Sequence, residues 1–391
     1  MSNFTATSCI GSGLSETLAT LRAHASGLAA CAFDTVEVKT HIGAVPGLDD
    51  EQLRDLGAFD CRNNRLAQLG LRQDQFIDAV ARVIARFGHE RIGVFLGTST
   101  SGIFQTELAY RQRNAITGKL PAGFNYATTQ NSFSLADFVR TYFKLTGPAV
   151  VVSTACSSSA KVFGTAARML EAGLIDAAIV GGVDSLCLTT LYGFSSLELI
   201  STQPCRPFTA DRDGISIGEA AAFVLLERVP STLDPNAVLF LGIGESSDAY
   251  HMSSPHPEGR GAYMAMQNAL SSAAISAADV DYINLHGTAT PSNDSAEAAA
   301  VRKLFGALVP CSSTKGATGH TLGAAGGLEA VICALALQHD IIPGGVNSDP
   351  PDASLGINYV TTNQIRPLAR ALSNSFGFGG TNCCLVFGRA N

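Results

Sequence analysis

One cysteine stands where a β-branched run meets a helical pattern. The stretch VVSTACSSSAKVFGTAARML covers residues 151–170 and contains Cys156. If the strand ends near Ser153, the helix begins just after Cys156, and unpaired N–H groups at a helix start favour a thiolate over a thiol. A thiolate can attack a carbonyl carbon and carry an acyl group. A small buried residue at a tight junction would give the same pattern, so both interpretations stay open at this point.

Two histidines lie in small-residue loops of the second half of the chain. His286 follows a strand-like run in NLHGTATPSND, and loops just past strand ends build sites in α/β proteins. His320 shares the loop STKGATGH with Lys315. Glu329 falls in the apolar helix that follows, where a carboxylate needs a partner, and Lys315 is the natural candidate. A structural histidine and an isolated buried ion pair remain alternatives.

A glycine-rich stretch, NSFGFGGTN, covers residues 374–382. Its glycines indicate unusual backbone angles and exposed N–H groups, which suit a developing oxyanion. A tight turn at the entry to a strand explains them equally well. The sequence contains no GxSxG, GxxxxGK[ST] or GxGxxG motif, which disfavours serine hydrolases, P-loop NTPases and Rossmann dehydrogenases.

The composition is that of a globular protein with a large core. Of the 391 residues, 46% are hydrophobic and 15% are charged, and the net charge of −7 argues against a nucleic-acid partner. The ten cysteines are scattered, with no CxxC pair, which predicts free thiols and no metal site. Glu329 interrupts the longest apolar stretch, so we expect no membrane insertion and a cytoplasmic location.

Alternating strand-like and helix-like segments predict an α/β fold. The strand-like runs are 91–97, 149–153, 177–182, 221–227, 239–244, 281–286 and 382–388. The helical patterns cover about 74–87, 159–172, 261–274, 293–305 and 323–338. The proline-containing segment 227–238 is the best candidate boundary, dividing a first half (1–236) that carries Cys156 from a second half (237–391) that carries the two histidines and the glycine-rich loop. A loop, an Ala-rich helix and an extended segment recur in both halves, a weak echo of duplication.

Five stretches in order resemble the β-ketoacyl-acyl carrier protein synthases, the elongating condensing enzymes of the thiolase-like superfamily. The stretches are TACSSS, RPFTADRDG, HGTATPSND, STKGATGH and NSFGFGGTN, and they span most of the chain. The resemblance implies a thiolase-like, five-layered αβαβα fold with duplicated halves. It also implies decarboxylative Claisen condensation of a malonyl-carrier thioester with an acyl group on Cys156, without a cofactor beyond the phosphopantetheine arm of the carrier.

The same resemblance assigns the site residues. Cys156 carries the acyl group, and His286 and His320 hold the malonyl thioester carbonyl, supported by the Lys315–Glu329 pair. Backbone N–H groups of Cys156 and Phe378 form the oxyanion hole, with Phe378 also as a gate. The residues expected to contact substrate are Thr288, Thr290, Phe376, Gly379 and Gly380.

The partner and the pathway are less defined. The resemblance implies an acyl carrier protein as partner, and because this chain is itself acidic, docking needs a local basic patch. Candidates for that patch are Arg54, Arg62, Arg65 and Arg206. The stretches 182–201 and 244–259 look closest to synthases of aryl-polyene clusters, which pair with a chain-length factor, and next to fatty-acid synthase I homodimers. The alternatives are a housekeeping fatty-acid elongation homodimer, a non-catalytic chain-length-factor-like subunit and a degradative thiolase.

Overall fold

Strands and helices alternate along most of the chain in a computed structural model, which describes residues 1–234 and 236–390. Pro235, inside the boundary segment 227–238, and Asn391 lie outside the described residues. The strands are β1 Asn3–Ser8, β2 Gly11–Ser12, β3 Ala29–Ala30, β4 His41–Gly43, β5 Ile92–Gly97, β6 Ala149–Val152, β7 Ala177–Asp184, β8 Ile217–Gly218, β9 Ala220–Glu227, β10 Val238–Ser247, β11 Tyr282–Asn284, β12 Pro310–Ser312, β13 Ile341–Ile342, β14 Asn358–Tyr359, β15 Gln364–Ile365, β16 Arg370–Gly377 and β17 Thr381–Arg389. The helices are α1 Leu14–Arg22, α2 Arg62–Leu71, α3 Phe76–Phe87, α4 Ile103–Arg111, α5 Ser134–Tyr142, α6 Ser158–Glu171, α7 Leu188–Ser196, α8 Arg260–Ser272, α9 Pro291–Phe305, α10 Lys315–Thr318 and α11 Ala325–His339.

Two large sheets share one topology. The first contains strands in the order β2-β1-β9-β7-β5-β6, and the second in the order β10-β17-β16-β11-β12-β14. Setting aside the short edge strands β2 and β14, each sheet has five strands whose chain order reads 1-5-4-2-3. The pairings also agree, since 1–5 and 5–4 are antiparallel while 4–2 and 2–3 are parallel in both. The duplicated architecture predicted from the family resemblance is confirmed.

Helices α6 and α11 lie between the two sheets. Helix α6 packs on β5 and β7, α11 packs on β16 and β9, and the two helices contact each other. Residues 325–337 of α11 are all buried, because a helix covered on both sides can be apolar around its whole circumference. Helices α2, α3 and α5 cover the outer face of the first sheet, and α8 covers that of the second, with α9 against it. These are the five layers expected.

One described segment is long and apolar enough to cross a membrane. It is Leu322–His339, with a mean hydropathy of 1.3, and 89% of it is buried inside the protein. A helix buried between two sheets satisfies the same length and composition test, so the segment is accounted for as a core helix.

The predicted elements match the observed ones to within a few residues. Every strand-like run and every helical pattern found in the sequence overlaps an observed strand or helix. Among the longer elements, the sequence analysis missed the helices α1, α2, α4, α5 and α7, and it missed most of β16. Residues 374–382 form no open loop: they end β16, turn at 378–380 and begin β17, a hairpin around the strand-entry turn that the glycines allowed.

Candidate active site

Cys156 sits on a sharp elbow between the first sheet and the central layer. Strand β6 ends at Val152, and α6 begins at Ser158. Between them Ala155 has a φ of +51°, a left-handed conformation uncommon for a residue with a side chain. The Ser158 hydroxyl accepts a hydrogen bond from the Thr154 N–H at 2.9 Å, which closes the elbow. Cys156 therefore lies two residues before the helix that the sequence placed directly after it.

Two imidazoles from the second half meet the Cys156 sulfur. Nε2 of His320 lies 3.0 Å from Sγ of Cys156. The rings of His286 and His320 meet edge to face with centroids 5.3 Å apart. One side-chain atom from each of the three residues lies within 4.8 Å of the others, and all three residues are buried. The structure therefore brings together the three residues singled out by the sequence.

Hydrogen bonds fix which ring nitrogens carry the protons. The Leu322 N–H donates to Nδ1 of His320 at 3.3 Å, so a neutral His320 carries its proton on Nε2. Nζ of Lys315 lies 3.5 Å from Nδ1 of His286, and an ammonium can only donate. His286 therefore carries its proton on Nε2 as well. Both rings can then act as neutral hydrogen-bond donors.

Burial sets the protonation of all three groups. Burial, with the Lys315 charge, holds the pKa of His286 and of His320 well below the ordinary histidine value. Burial also raises the pKa of Cys156 to about 11, although Lys315 and the Phe378 N–H act in the opposite direction. The expectation of a thiolate favoured by the helix start is wrong for the free enzyme, because desolvation of the sulfur outweighs the nearby donors.

Lys315 and Glu329 form a buried ion pair, as the sequence predicted. Their side chains are 1% and 3% exposed, and Nζ of Lys315 donates to Oε1 of Glu329. Burial raises the pKa of Glu329 to about 7, with Lys315 opposing that rise. Because Lys315 also reaches His286, the pair connects α11 to the catalytic cluster.

A cavity opens onto Cys156 and both histidines. Thr288, Thr290, Phe376 and Gly380 line it, as expected for substrate contacts. Gly379 does not line it: this glycine is exposed, and its N–H donates to the Met252 carbonyl at 2.7 Å.

Phe378 lies at the position expected for a gate. It lines the cavity beside Cys156, and its ring meets that of Phe194 at a centroid distance of 5.6 Å. Its N–H is near enough to the Cys156 sulfur to lower the pKa of that thiol, against the larger effect of burial. The oxyanion hole expected from the N–H groups of Cys156 and Phe378 stays a prediction.

The chain matches the family models of the beta-ketoacyl synthase N-terminal domain over residues 5–232 and C-terminal domain over residues 238–349. The chain belongs to the β-ketoacyl synthase family. It is 33% identical to 3-oxoacyl-[acyl-carrier-protein] synthase 2 of Vibrio cholerae over 91% of this chain and 90% of that enzyme. It is 42% identical to the enzyme of that name from Rhizobium meliloti, over 63% of this chain and 62% of that one, less than two thirds of its length.

Among solved structures, the ketosynthase ApeO of Xenorhabdus doucetiae, in complex with its chain length factor ApeC, superposes with a TM-score of 0.88. Its sequence is 37% identical, and the match covers 100% of this chain and 97% of that one. The present chain is thus a ketosynthase, a condensing enzyme of the acyltransferase class.

The cysteine and the two histidines of this ketosynthase also resemble a metal-binding set. Cys and His are ligands that zinc prefers, and the three side chains are close enough to share one ion. The spacing of the three residues along the chain predicts no metal site, because they are far apart in sequence. The Lys315 ammonium beside His286 disfavours a further cation there.

The predicted basic patch is wrong for Arg62. This residue is 6% exposed, and its guanidinium binds both carboxylate oxygens of Glu219 as well as Asp49. It cannot face a carrier protein from that position. Helix α2 presents its apolar side to β9, and the sequence could not show that a charged residue lies on the same side.

The other three arginines of the patch differ among themselves. Arg54 is exposed. Arg65 is bound to Asp60 through two hydrogen bonds, and Arg206 contacts Asp211 and Asp213. Two of the three positive charges are thus compensated by neighbouring carboxylates.

Two buried acids beside the site escaped the sequence analysis. Asp184 ends β7 and is fully buried, and Glu297 in α9 is 1% exposed. Glu297 accepts hydrogen bonds from the N–H groups of His286 and Gly287, both at 2.8 Å, and so holds the loop that carries His286. The signal was available for Glu297, an acid in the Ala-rich segment SAEAAAV, as it was for Glu329.

Proposed function

We propose that Cys156 is the acyl-carrying nucleophile of this ketosynthase. Its sulfur attacks the thioester carbonyl of an acyl chain on the phosphopantetheine arm of a carrier protein, and the thiol proton ends on the departing pantetheine sulfur. The N–H groups of Cys156 and Phe378 receive the negative charge on oxygen. Each such donor is typically worth about 10²–10³ in rate. His320 Nε2–H, 3.0 Å from the sulfur, stabilises the thiolate as it forms.

In the second half-reaction His286 and His320 act as neutral donors. A malonyl thioester on the carrier loses carbon dioxide, and the electron pair of the broken carbon–carbon bond becomes an enolate. Two Nε2–H groups on the enolate oxygen stabilise it. The enolate carbon then attacks the acyl carbonyl, the bond to Sγ breaks, and the departing Cys156 thiolate takes a proton from water to regenerate the thiol. No external oxidant or reductant is needed, because the carboxylate leaves as carbon dioxide.

The observation that carries this proposal is the meeting of one sulfur and two neutral Nε2–H donors at the end of one cavity. Incubation with an acyl-carrier thioester should add one acyl mass to the wild type and none to Cys156→Ala. Cys31→Ala is the matched control, since Cys31 is a half-buried thiol outside the cavity. An acyl adduct on the Cys156→Ala protein, or none on the wild type, contradicts the proposed nucleophile and favours a non-catalytic chain-length-factor-like subunit.

We further propose that the pathway is of the aryl-polyene type and that the enzyme works as a heterodimer with a chain-length factor. The supporting observation is the full-length similarity to ApeO, solved with its chain length factor. Strand β6 is at the edge of the first sheet, and Val150 on it is 38% exposed. An apolar edge strand is suited to pair with another chain.

The alternative is a fatty-acid elongation homodimer. Native mass spectrometry of the chain expressed alone and together with a chain-length-factor homologue distinguishes the two. A stable homodimer that forms no complex with the co-expressed second chain contradicts the heterodimer. Replacing Val150 with Lys should weaken whichever dimer forms.

Docking of the carrier is proposed for the exposed Arg54, with the half-buried Arg65 and Arg206 as the other members of the patch. Since Arg65 and Arg206 already contact carboxylates, we expect a modest salt dependence of carrier binding. We also propose that residues 1–236 and 237–391 act as the two duplicated halves and that the enzyme works in the cytoplasm.

A further inference from the structure

Asp184 is a buried carboxylate at the edge of the active site for which the reaction itself has no use. It ends β7, and it is fully buried. Its Oδ1 accepts hydrogen bonds from the hydroxyls of Thr98 and Thr100 at 2.8 Å and from the N–H groups of Ser99 and Thr100 at 2.8 and 2.7 Å. These donors belong to the turn that follows β5. Burying a carboxylate costs free energy, even when neutral donors satisfy it. We therefore infer that the carboxylate is needed to hold these donors in place.

The other oxygen of Asp184 reaches into the second half of the protein. Its Oδ2 accepts the Gly323 N–H at 2.6 Å. Gly323 follows His320 by three residues, and between them Leu322 has a φ of +53° and donates its N–H to Nδ1 of His320. Asp184 therefore holds the far end of the turn whose N–H fixes the proton of His320 on Nε2.

Gly323 shows how closely the carboxylate is fitted to this turn. A Cβ at that position would lie 2.7 Å from Oδ2 of Asp184 and 2.6 Å from Oγ of Ser99. Ser99 in turn donates to the Ala155 carbonyl at 3.5 Å, on the elbow that carries Cys156. The contacts of one carboxylate thus extend to the turn of His320 and to the elbow of Cys156.

We propose that Asp184 is a positioning residue that holds the turn 320–323 so that Nε2–H of His320 points at the Cys156 sulfur. This inference rests on the proposed role of His320. It concerns orientation, since Asp184 does not line the cavity and does not touch the substrate. Removing the carboxylate should loosen the turn and free Nδ1 of His320 from the Leu322 N–H, after which the ring can exchange its proton between the two nitrogens.

The test compares two activities of Asp184→Asn. Decarboxylation of a malonyl-carrier thioester depends on the His320 donor, and we expect it to fall about ten- to a hundredfold, as for partners that orient ligand histidines elsewhere. Alkylation of Cys156 by iodoacetamide should stay at the wild-type rate or increase, because the Asp184 charge raises the pKa of the thiol. The seven other buried cysteines report folding, since they stay unmodified in a folded protein.

One further variant keeps the test decisive if Asp184→Asn unfolds. Gly323→Ala displaces the N–H from the carboxylate and keeps the charge, with Gly57→Ala as its control because a Cβ at position 57 meets no atom within 4 Å. Asp74→Asn is the control for the acid, since Asp74 accepts hydrogen bonds from Thr5 and Leu14 outside the site. Both controls should keep wild-type decarboxylation.

The outcomes separate this inference from the proposed function. Decarboxylation within threefold of wild type in folded Asp184→Asn or Gly323→Ala overturns the positioning role. His320→Ala is measured beside them. If that variant also decarboxylates at the wild-type rate, the role of His320 itself fails, whereas a loss in His320→Ala alone leaves the proposed function intact and refutes only the role of Asp184.

Discussion

Removing the Lys315 ammonium tests whether the buried pair serves stability or chemistry. In Lys315→Met the Glu329 carboxylate stays in a site where its side chain is 3% exposed; its Oε1 loses the Lys315 donor, and its Oε2 already has no hydrogen-bond partner among the described residues. Breaking one half of a buried pair typically costs about 3–5 kcal/mol, a large part of the roughly 5–15 kcal/mol that keeps a protein folded. The midpoint of urea unfolding should fall accordingly.

The cost should depend on pH in a defined direction. Burial raises the pKa of Glu329 to about 7 with Lys315 present, and the pKa rises further once that positive charge is removed. A carboxyl with a raised folded-state pKa is fully stabilising below its unfolded value of about 4.3, and that stability is lost as the pH rises through the folded value. Lys315→Met should therefore approach the wild type at pH 6 and fall furthest below it at pH 8–9.

The double variant Lys315→Met/Glu329→Leu separates the two roles. Replacing both partners with apolar side chains of similar volume is often neutral or stabilising, so the urea midpoint should recover. Decarboxylation should not recover, because Nδ1 of His286 has lost its donor and the ring no longer presents Nε2–H alone. The loss can reach that of an oxyanion donor, about 10²–10³ in rate. A double variant that regains both stability and decarboxylation would refute the tautomer argument.

Three further outcomes follow from the same structure. Burial and Lys315 depress the pKa of both active-site histidines, so the decarboxylation rate should stay flat from pH 8 to pH 6. The free energy of unfolding should fall as the pH drops below about 6.5, because there only the unfolded histidines gain protons. A midpoint at about pH 6.5 in the decarboxylation rate would contradict this. Arg62→Met should lower the free energy of unfolding by about 3–5 kcal/mol without changing the KM for the carrier. Arg54→Met should change the free energy of unfolding by less than about 0.5 kcal/mol. Equal effects of the two variants on stability would restore Arg62 to a surface role. Phe378→Ala keeps the backbone N–H, so acyl transfer to the enzyme should stay within about tenfold of wild type, and a loss of 10² or more would assign that step to the ring.

The sequence predicted the layers and the central residues well because both leave local signals. The buried strands are short apolar runs, and α11 is apolar on all sides, which only a position between two sheets explains. Glu329 could be paired with Lys315 because an acid in such a helix has few possible partners. The order of five motifs then supplied the roles that no single motif could.

Two expectations failed because they depended on tertiary packing. The helix start near Cys156 favours a thiolate, but the sulfur is buried deeply enough that its pKa rises to about 11. The sequence predicts a surface charge at Arg62 because arginine usually is one. In the structure α2 faces the sheet, and the buried Arg62 guanidinium donates to Glu219. The neighbouring sequence predicts neither how deeply a side chain is buried nor which residue it contacts.

The duplicated topology explains why this site needs both halves. In each half the third strand leads into the helix of the central layer: β6 leads through Cys156 into α6, and β12 leads through Lys315 and His320 toward α11. Because the two helices contact each other, the two junctions face one another, and a nucleophile from one half meets a donor from the other at 3.0 Å.

The second strands extend the same argument. The turn after β11 carries His286, while the equivalent turn after β5 carries Thr98, Ser99 and Thr100, which bind Asp184. The turn after β11 thus carries a proposed catalytic side chain, and the turn after β5 carries the donors that hold Asp184. This difference predicts that a hydroxyl-to-methyl change such as Thr98→Val should impair decarboxylation through His320, although residue 98 lies in the opposite half. A Thr98→Val enzyme with wild-type decarboxylation would show that the two turns are not coupled.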